Sequence, residues 1–285
     1  MKQNEYRASV FGSTGFIGKW LCEESDFILE DVPSRHLAGD CPRLLYLRGT
    51  THNYNFKDDP TYDIKVNEQH LMDVLETCRH TCGLEEVNFV SSWFVYTPNL
   101  PLPVSEDAPC EPTGFYSITK RAAEKLLIAY CDYYQIPWRI LRLANVMGVG
   151  DNGISHKKNA VQYMIRELCL GNKVDYVYRE DHTRDFIDVR DVVSAVDCVL
   201  DFGEPNQIYN IGSGIGYSVQ DVLDYAAKKL HMEDQLAYID APAFHKQVQG
   251  QHMQLDISKL MGLGYESEYT ILDTVDWLID YYRNE

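Results

Sequence analysis

Hydrophobic residues follow two spacings along this chain, and the two spacings alternate. Short apolar runs at 6–11, 44–47, 87–92 and 138–143 have the length of buried β-strands. Between them, as in 66–82, apolar side chains recur every three or four positions, which is typical of an amphipathic helix. Strands that alternate with helices predict an α/β protein with a doubly wound parallel sheet.

The alternation continues through the second half of the chain. A helix over 116–135 should pack through Ala122, Leu126 and Tyr130. The segment 183–191 is predicted to lead into a helix through Leu200, followed by a strand at 208–211 and helices at 218–230 and 271–282. No internal repeat or long linker separates these elements, so any second lobe should be interwoven with the sheet.

A glycine-rich turn, Gly12-Ser-Thr-Gly-Phe-Ile-Gly18, follows the first predicted strand and precedes a predicted helix. Strand, glycine turn and helix form the context of a dinucleotide-binding fingerprint, in which backbone N–H groups and the helix N-terminus face the phosphates. A glycine turn without a ligand is the alternative, and the three regularly spaced glycines favour binding. The candidate cofactor contacts are Gly12, Thr14, Gly15, Phe16, Ile17 and Gly18.

The second predicted strand, 27–31, ends in Asp31, which follows Gly12 by 19 positions. A carboxylate at about this distance hydrogen-bonds the adenosine ribose in NAD-binding folds, whereas a nearby arginine accommodates the 2′-phosphate of NADP. Asp31 therefore favours NAD, and Arg35 leaves NADP open. Both side chains are also compatible with solvated loop charges.

Tyr116 and Lys120 lie one helical turn apart at the start of the helix over 116–135, and Ser92 ends the strand before it. Residues four apart share a helix face, so both side chains can reach one site. A nearby ammonium stabilises a phenolate, which predicts a lowered Tyr116 pKa and a general base. A second Tyr-x-x-x-Lys, at Tyr225 and Lys229, has no Ser-bearing strand before it and is interpreted as surface packing.

The charge balance limits the partners of this 285-residue chain. With 26 Lys and Arg against 43 Asp and Glu, its net charge is −17, which argues against nucleic acid or an anionic membrane as a ligand. No apolar run approaches the about 18 residues of a membrane span, and the N-terminus lacks a signal-peptide core. The eight cysteines show no metal-type pairing, which predicts free thiols, no metal and a cytoplasmic location.

Taken together, the motifs resemble the NAD-dependent epimerase/dehydratase family, the branch of the extended short-chain dehydrogenases/reductases that acts on nucleotide-linked sugars. The matching positions are Gly12/Gly15/Gly18, Val90-Ser-Ser92, Tyr116/Lys120, Leu143-Ala-Asn145, Arg184-Asp-Phe-Ile, Asn210-Ile-Gly-Ser-Gly and Asp256-Ile-Ser-Lys. The resemblance implies a Rossmann-like sheet with a smaller, interwoven C-terminal substrate lobe. The expected boundaries are 1–148 and 182–216 for the dinucleotide-binding domain, and 149–181 and 217–285 for the substrate lobe.

The resemblance also implies roles for individual residues. Tyr116 would take a proton from a sugar hydroxyl, Ser92 would hydrogen-bond the same oxygen, and Lys120 would hold the nicotinamide ribose while hydride passes to NAD. Asn145, Asn159 and Arg184 would contact the diphosphate of a nucleotide-diphosphate sugar. Lys246 stands where relatives often carry a phosphate-binding arginine. A homodimer formed through the helices at 66–82 and 116–135 is expected on the same basis.

Two aromatic residues after Ser92 separate the subclasses of the family. Trp93 and Phe94 stand where sugar dehydratases carry an Asp–Glu pair and where decarboxylases and epimerase-reductases carry a Glu or a Cys. Neither aromatic ring can transfer a proton, and core packing below the site is the favoured interpretation of both. The expected function is a nucleotide-sugar epimerase, most simply a 4-epimerase. The alternatives are an NAD(P)H-dependent 4-keto-sugar reductase and a non-catalytic nucleotide-binding protein.

One departure from the family concerns the interval between Gly18 and Leu44. In relatives this interval usually contains two more strands and helices, whereas here only the strand that ends at Asp31 and a turn near Gly39 fill it. The adenine side of the cofactor site should therefore be shortened.

Overall fold

Six parallel strands form the central sheet in the order β2-β1-β3-β4-β5-β9. These strands are β1 (Arg7–Phe11), β2 (Ile28–Val32), β3 (Arg43–Tyr46), β4 (Glu86–Ser92), β5 (Trp138–Leu143) and β9 (Gln207–Ile211). The structure is a computed structural model that describes residues 7–178, 182–240 and 252–284. Lys246 lies outside the described residues. The predicted doubly wound α/β fold is confirmed.

Helices cover both faces of this sheet. Leu21 of α1 (Phe16–Glu24) and Val196 of α6 (Val189–Phe202) pack with Val10 and Leu141 on one face. The opposite face is covered by α2 (Tyr62–Ile64), a π-helical turn (Lys65–Gln69), α3 (His70–Thr81) and α4 (Phe115–Tyr134). Because the sheet is buried from both sides, its strands are nearly continuous apolar runs.

A third apolar core lies away from the central sheet. It is built by helices α5 (Ala160–Cys169), α7 (Val219–Leu230) and α9 (Ile271–Asn284). The remaining elements are the strands β6 (Asn145–Met147), β7 (Val174–Tyr178), β8 (Thr183–Asp188), β10 (Gly216–Ser218) and β11 (Leu236–Ile239), and the short helix α8 (Ser258–Met261). The division into a dinucleotide-binding domain and a substrate lobe stays a prediction.

The packing stripe predicted for α4 is wrong by one position. The helix buries Ala123, Leu127 and Cys131, whereas Leu126 is exposed and Ala122 and Tyr130 are half-buried. Tyr116 lies two turns before Ala123 and Lys120 lies two turns before Leu127, so the buried face is the one that carries the site.

The second Tyr-x-x-x-Lys pair lies on α7, away from the sheet. The Tyr225 hydroxyl donates to Asp276 Oδ1 at 2.8 Å, and Lys229 forms an ion pair with the same carboxylate. Both side chains thus tie α7 to α9, in agreement with the interpretation as surface packing.

The predicted compression between Gly18 and Leu44 is present. Only the end of α1, strand β2 and the segment 33–42 lie between the glycine turn and β3. As a result β2 is the outermost strand on its side of the described sheet. Within the described residues, none of the helices combines the length and apolar character that crossing a bilayer requires.

Candidate active site

A cavity of about 630 Å³ opens at the carboxyl ends of the central strands, where ligands bind in open α/β sheets. Its walls come from the ends of β3, β4 and β5, the first turns of α1, α4 and α5, and the strand β8. The predicted site residues among its lining are Phe16, Ile17, Ser92, Tyr116, Lys120, Asn145, Asn159 and Arg184. The cavity therefore brings together the predicted catalytic residues and three of the predicted substrate contacts, whereas its lining does not include Gly12, Thr14, Gly15, Gly18 or Asp31.

The geometry of the glycine turn fits a dinucleotide. Gly12 has φ +108°, a conformation that side chains other than glycine rarely adopt, and a Cβ on Gly18 would lie 2.2 Å from the Gly12 carbonyl oxygen. Helix α1 begins after Gly15 without a side-chain cap, and Thr14 is exposed beside it. Free N–H groups and the positive end of the helix dipole therefore face the position of a pyrophosphate.

The predicted ribose carboxylate, Asp31, lies at the end of β2 beside the glycine turn. The Ser13 hydroxyl donates to Asp31 Oδ1, which ties the carboxylate to the backbone of the turn. Arg35 is exposed in the segment that follows. Asp31 is thus placed as NAD-binding folds place their ribose-binding carboxylate.

Tyr116 is buried at the floor of the cavity and lies within hydrogen-bonding reach of the Ser92 side chain. Burial raises the pKa of Tyr116 to about 12, the hydrogen bond with Ser92 opposes this, and the charge of Asp63 adds to it. The predicted lowering of the Tyr116 pKa is therefore wrong for the ligand-free protein. Desolvation of the phenolate by burial is the largest cause of this raised pKa.

Lys120 is buried one turn further along α4. Its ammonium donates to the Val90 carbonyl at 2.8 Å and lies 4.3 Å from the centroid of the Phe89 ring. Burial lowers the pKa of Lys120 to about 8, and the charge of Glu124 partly opposes this. The lysine is therefore held in place by the strand that carries Ser92, at a pKa close to neutrality.

The buried ammonium of Lys120 should cost stability. Its folded-state pKa is below the unfolded value, so the penalty is present below about pH 8 and disappears as the pH rises toward 10.5. The lowered pKa corresponds to a destabilising free energy of about 3 kcal/mol. The contacts of the ammonium offset about 1–2 kcal/mol of this. We expect Lys120→Met to raise the free energy of unfolding at pH 7 by about 1 kcal/mol, measured by urea denaturation.

The same measurement on Lys125→Met is the control, because Lys125 is exposed on the same helix and its loss should leave stability unchanged. The difference in the free energy of unfolding between Lys120→Met and the wild type should become smaller as the pH approaches 10. A variant that is less stable than the wild type at pH 7 would contradict the expectation.

Two asparagines that the sequence analysis missed hold α4 in place. Asn53 Oδ1 accepts from the backbone N–H of Ser117 at 3.4 Å and thereby caps the first turn, and a Cβ on Gly114 would lie 2.2 Å from that oxygen. Asn67, in the π-helical turn, donates to Thr50 Oγ1 and Thr119 Oγ1 and accepts from the Thr50 N–H. Their partners on α4 lie 52 and 64 residues away in the sequence, so no local pattern indicated either contact.

Trp93 and Phe94 pack with the buried core, as predicted, and both also line the cavity. Their rings stack with centroids 3.9 Å apart. The rings of Phe94 and Tyr116 pack edge to face, with centroids 6.0 Å apart. The guanidinium of Arg184 lies 5.5 Å from the Trp93 ring. An apolar wall therefore stands beside Tyr116 at the two positions that follow Ser92.

The three residues predicted to contact a diphosphate lie on one side of the cavity. The Asn145 amide donates to the Asp185 carbonyl, and the Asn159 amide donates to the Val146 carbonyl. Arg184 is buried, donates to the Thr183 carbonyl, and has a pKa lowered to about 10 by burial. Their side chains are thus oriented by backbone groups of β6 and β8.

Positive charge is concentrated in the cavity of this acidic protein. Among the described residues, the lining contains Asp151 as the one carboxylate, together with three histidines and the cations Lys57, Lys120, Lys157, Lys158 and Arg184. Lys158 pairs with Asp151 at 2.7 Å. The excess of cations favours a ligand with several negative charges. Among the described residues, no cluster of His, Cys, Asp and Glu could hold a metal ion.

The sequence of this chain is similar to those of known proteins. The sequence model of the NAD dependent epimerase/dehydratase family matches residues 41–212. A putative UDP-glucose 4-epimerase of Methanocaldococcus jannaschii is 27% identical over 81% of this chain and 73% of its own length. GDP-6-deoxy-D-mannose reductase of Pseudomonas aeruginosa is 27% identical over 95% of this chain and 97% of its own. Two other relatives are longer proteins, and this chain spans 56% of the length of one and 59% of the length of the other.

The fold is also similar to that of solved structures. The UDP-glucose 4-epimerase of Thermotoga maritima, determined with UDP-glucose, superposes with a TM-score of 0.85 over 98% of this chain and 99% of that one. The two sequences are 19% identical, so this likeness concerns the fold.

Proposed function

Because this chain belongs to the NAD dependent epimerase/dehydratase family, we propose that it is a nucleotide-sugar epimerase, most simply a 4-epimerase. The observation that carries the proposal is the convergence of Ser92, Tyr116 and Lys120 on one cavity that begins at the glycine turn. The apolar wall of Trp93 and Phe94 supports an epimerase over a dehydratase, because elimination of water requires proton transfer from those positions.

The proposed roles follow from the contacts of each side chain. Tyr116 takes the proton of the sugar hydroxyl, and Ser92, within reach of the same phenol, donates a hydrogen bond to that oxygen. Lys120, fixed by the Val90 carbonyl, supplies the positive charge that favours the phenolate once the site is loaded. Its position beside Gly49 also allows a hydrogen bond to the nicotinamide ribose.

The family is NAD dependent, and the residues present fit that cofactor. Gly12, Gly15 and Gly18 give the pyrophosphate its cradle, and Asp31 favours NAD over NADP because a carboxylate repels a 2′-phosphate. When bound, this cofactor would supply reversible hydride transfer at the sugar carbon. Epimerisation at that carbon consumes no cofactor.

The proposed substrate is a nucleotide-diphosphate sugar. Arg184, Asn145 and Asn159 offer a buried guanidinium and two amides on one side of the cavity, which suits phosphate oxygens. The cationic lining supports the same class of substrate in a protein whose net charge is −17. The role of Lys246 stays a prediction.

Incubation with UDP-, GDP- and dTDP-linked hexoses tests the proposal. We expect one of these sugars to give its 4-epimer, with no net change in the absorbance of reduced cofactor. Protein that binds cofactor yet forms no epimer from any of the sugars would overturn it.

A 4-keto-sugar reductase is the second candidate. The relative from P. aeruginosa is a reductase and covers nearly the whole chain, and the same Tyr–Lys–Ser geometry would serve hydride transfer in that direction. Stoichiometric oxidation of NADH or NADPH with a 4-keto sugar would identify it. A non-catalytic nucleotide-binding protein would show cofactor binding without either signal.

We also propose the expected homodimer through the helices of 66–82 and 116–135, which are α3 with its π-helical turn and α4, together with the adjoining α2. Tyr62, Ile64, Phe115, Ile118 and Leu126 leave 39–49% of their surface exposed on these helices. A second copy would cover these apolar side chains, whose exposure is otherwise unfavourable.

The dimer can be tested with charged substitutions. We expect Ile118→Glu/Leu126→Glu to sediment as a monomer at concentrations where the wild type sediments as a dimer. Leu170→Glu, at an exposed leucine on the end of α5, should leave the sedimentation unchanged. A monomeric wild type would contradict the proposal.

The cysteines support a cytoplasmic location as a further proposal. All eight are free thiols, the state that a reducing compartment maintains.

A further inference from the structure

The connection between β2 and β3 is short for a crossover between parallel strands. Such crossovers usually contain a helix and a dozen or more residues, whereas here only the residues 33–42 cross the face of β1. Gly39 lies against Ser9, where a Cβ would come within 2.2 Å of the serine hydroxyl. The segment is therefore an extended strap that lies directly on the sheet.

One arginine fastens the beginning of this strap. Arg48, just after β3, donates from Nη1 to the His36 carbonyl at 2.8 Å, and from Nη2 to the carbonyls of Pro33 at 2.8 Å and Val32 at 3.4 Å. Its guanidinium also lies 4.9 Å from the centroid of the Phe11 ring at the end of β1. A single side chain thus joins the ends of three neighbouring strands.

These contacts lie at the carboxyl edge of the sheet, beside the proposed cofactor site. Asp31 lies next to the turn that Arg48 holds, and its negative charge acts to raise the pKa of Arg48. Its carboxylate accepts a hydrogen bond from Ser13 of the glycine turn. In the usual doubly wound strand order, 3-2-1-4-5-6, a further strand lies outside the second strand, whereas β2 is the outermost strand here. The adenosine end of the proposed cofactor site therefore lacks the support of that strand, and other contacts must hold it in place.

We propose that Arg48 is a positioning residue for the adenosine end of the cofactor site. By fastening the residues 32–36 to the end of the sheet, its guanidinium holds Asp31 and the adjoining turn in place of the strand that is missing beyond β2. The inference rests on the proposed dinucleotide site, but it does not depend on which sugar reaction the protein catalyses.

Binding of the two halves of the cofactor separates this role from general support of the fold. We expect Arg48→Met to raise the Kd of ADP-ribose by about 10- to 100-fold, measured by calorimetry, and to leave the Kd of nicotinamide mononucleotide within about twofold. Arg48→Lys should lose nearly as much, since one ammonium cannot reach three carbonyls in this fork geometry. Arg283→Met, at an exposed arginine of α9, is the matched control and should leave both Kd values unchanged.

An Arg48→Met protein that binds ADP-ribose as tightly as the wild type would overturn the inference. Equal loss of both half-cofactors would do the same, because it would indicate a merely structural role. If the wild type binds NAD and Arg48→Met binds it equally, the proposed function survives and the inference fails. A wild type that binds neither NAD nor ADP-ribose would overturn both.

Hydrogen exchange on the wild-type protein tests the inference without a substitution, in case the variants do not fold. ADP-ribose should slow exchange at the amides of 34–36, and nicotinamide mononucleotide should not. Unchanged exchange in this turn with saturating ADP-ribose would contradict the proposal.

Discussion

Replacing Tyr116 with phenylalanine is expected to lower the rate of sugar epimerisation by about 10³-fold. The substitution removes the proton-accepting oxygen and keeps the ring that packs against Phe94. Cofactor affinity should change little, because the glycine turn and Asp31 are untouched. The measurement is kcat with the active nucleotide sugar, beside the Kd for NAD.

Tyr225→Phe is the matched control for this prediction. It removes a hydroxyl from the other Tyr-x-x-x-Lys pair, whose partner is Asp276 on the surface. We expect wild-type turnover from it. A Tyr116→Phe enzyme with normal turnover would remove the basis for the catalytic assignment.

The pH dependence should report the same phenol. Burial raises the pKa of Tyr116 to about 12, so the phenolate fraction of the free enzyme rises tenfold with each pH unit. The ammonium of Lys120 is lost above about pH 8. Hence kcat/KM should rise with a slope near one from about pH 6 to 8 and then level off or fall. A flat profile over that range would contradict the assigned base.

The second large effect is expected from Arg142, which is buried in β5. Its Nε and Nη2 donate to the two carboxylate oxygens of Glu124 at 3.0 and 2.9 Å, and both side chains are at most 1% exposed. Arg142→Met would leave the Glu124 carboxylate with the partly exposed Arg121 as its remaining ion-pair partner among the described residues. We expect a loss of about 3–5 kcal/mol in the free energy of unfolding, measured by urea denaturation.

Two further variants make the measurement specific. Arg121→Met should cost less than about 1 kcal/mol, because that pair is partly solvated. Arg142→Met/Glu124→Leu should recover much of the loss, since the buried charge is then gone. If the double variant is as unstable as Arg142→Met alone, lost packing and not the unpaired carboxylate is the cause.

The same pair predicts how stability depends on acid. Burial alone would raise the pKa of Glu124, but hydrogen bonds and the charge of Arg142 lower it below its usual value. Its contribution is therefore complete above the unfolded pKa and is lost as the pH falls through the folded one. The double variant should lack this part of the acid sensitivity.

Local patterns in the sequence were enough for the fold and for the members of the site. Alternating apolar runs determine strands and helices because burial on two faces requires them. The glycine turn could be read because Gly12 and Gly18 occupy conformations and spaces that exclude a Cβ. Tyr116 and Lys120 could be paired because residues four apart on a helix share one face.

Properties that depend on burial could not be obtained in this way. The Tyr116 pKa was expected to fall and instead rises, because burial of the phenol disfavours the phenolate. Trp93 and Phe94 were expected to pack in the core below the site; they do pack in the core, and they also line the cavity. Helix periodicity also gave the wrong stripe on α4, since Ala123 and Leu127, not Ala122 and Leu126, meet the sheet.

By itself the sequence determined the parallel sheet, the dinucleotide turn and the identity of the Ser92, Tyr116 and Lys120 set, since each is written in residues close together or in a regular spacing. Only the tertiary structure decided the protonation of that set, the capping of α4 by Asn53, the buried pair of Arg142 with Glu124 and the fastening of the strap by Arg48. The reason is physical: desolvation and hydrogen bonding between distant segments depend on which groups the folded chain brings together, and no local pattern encodes that.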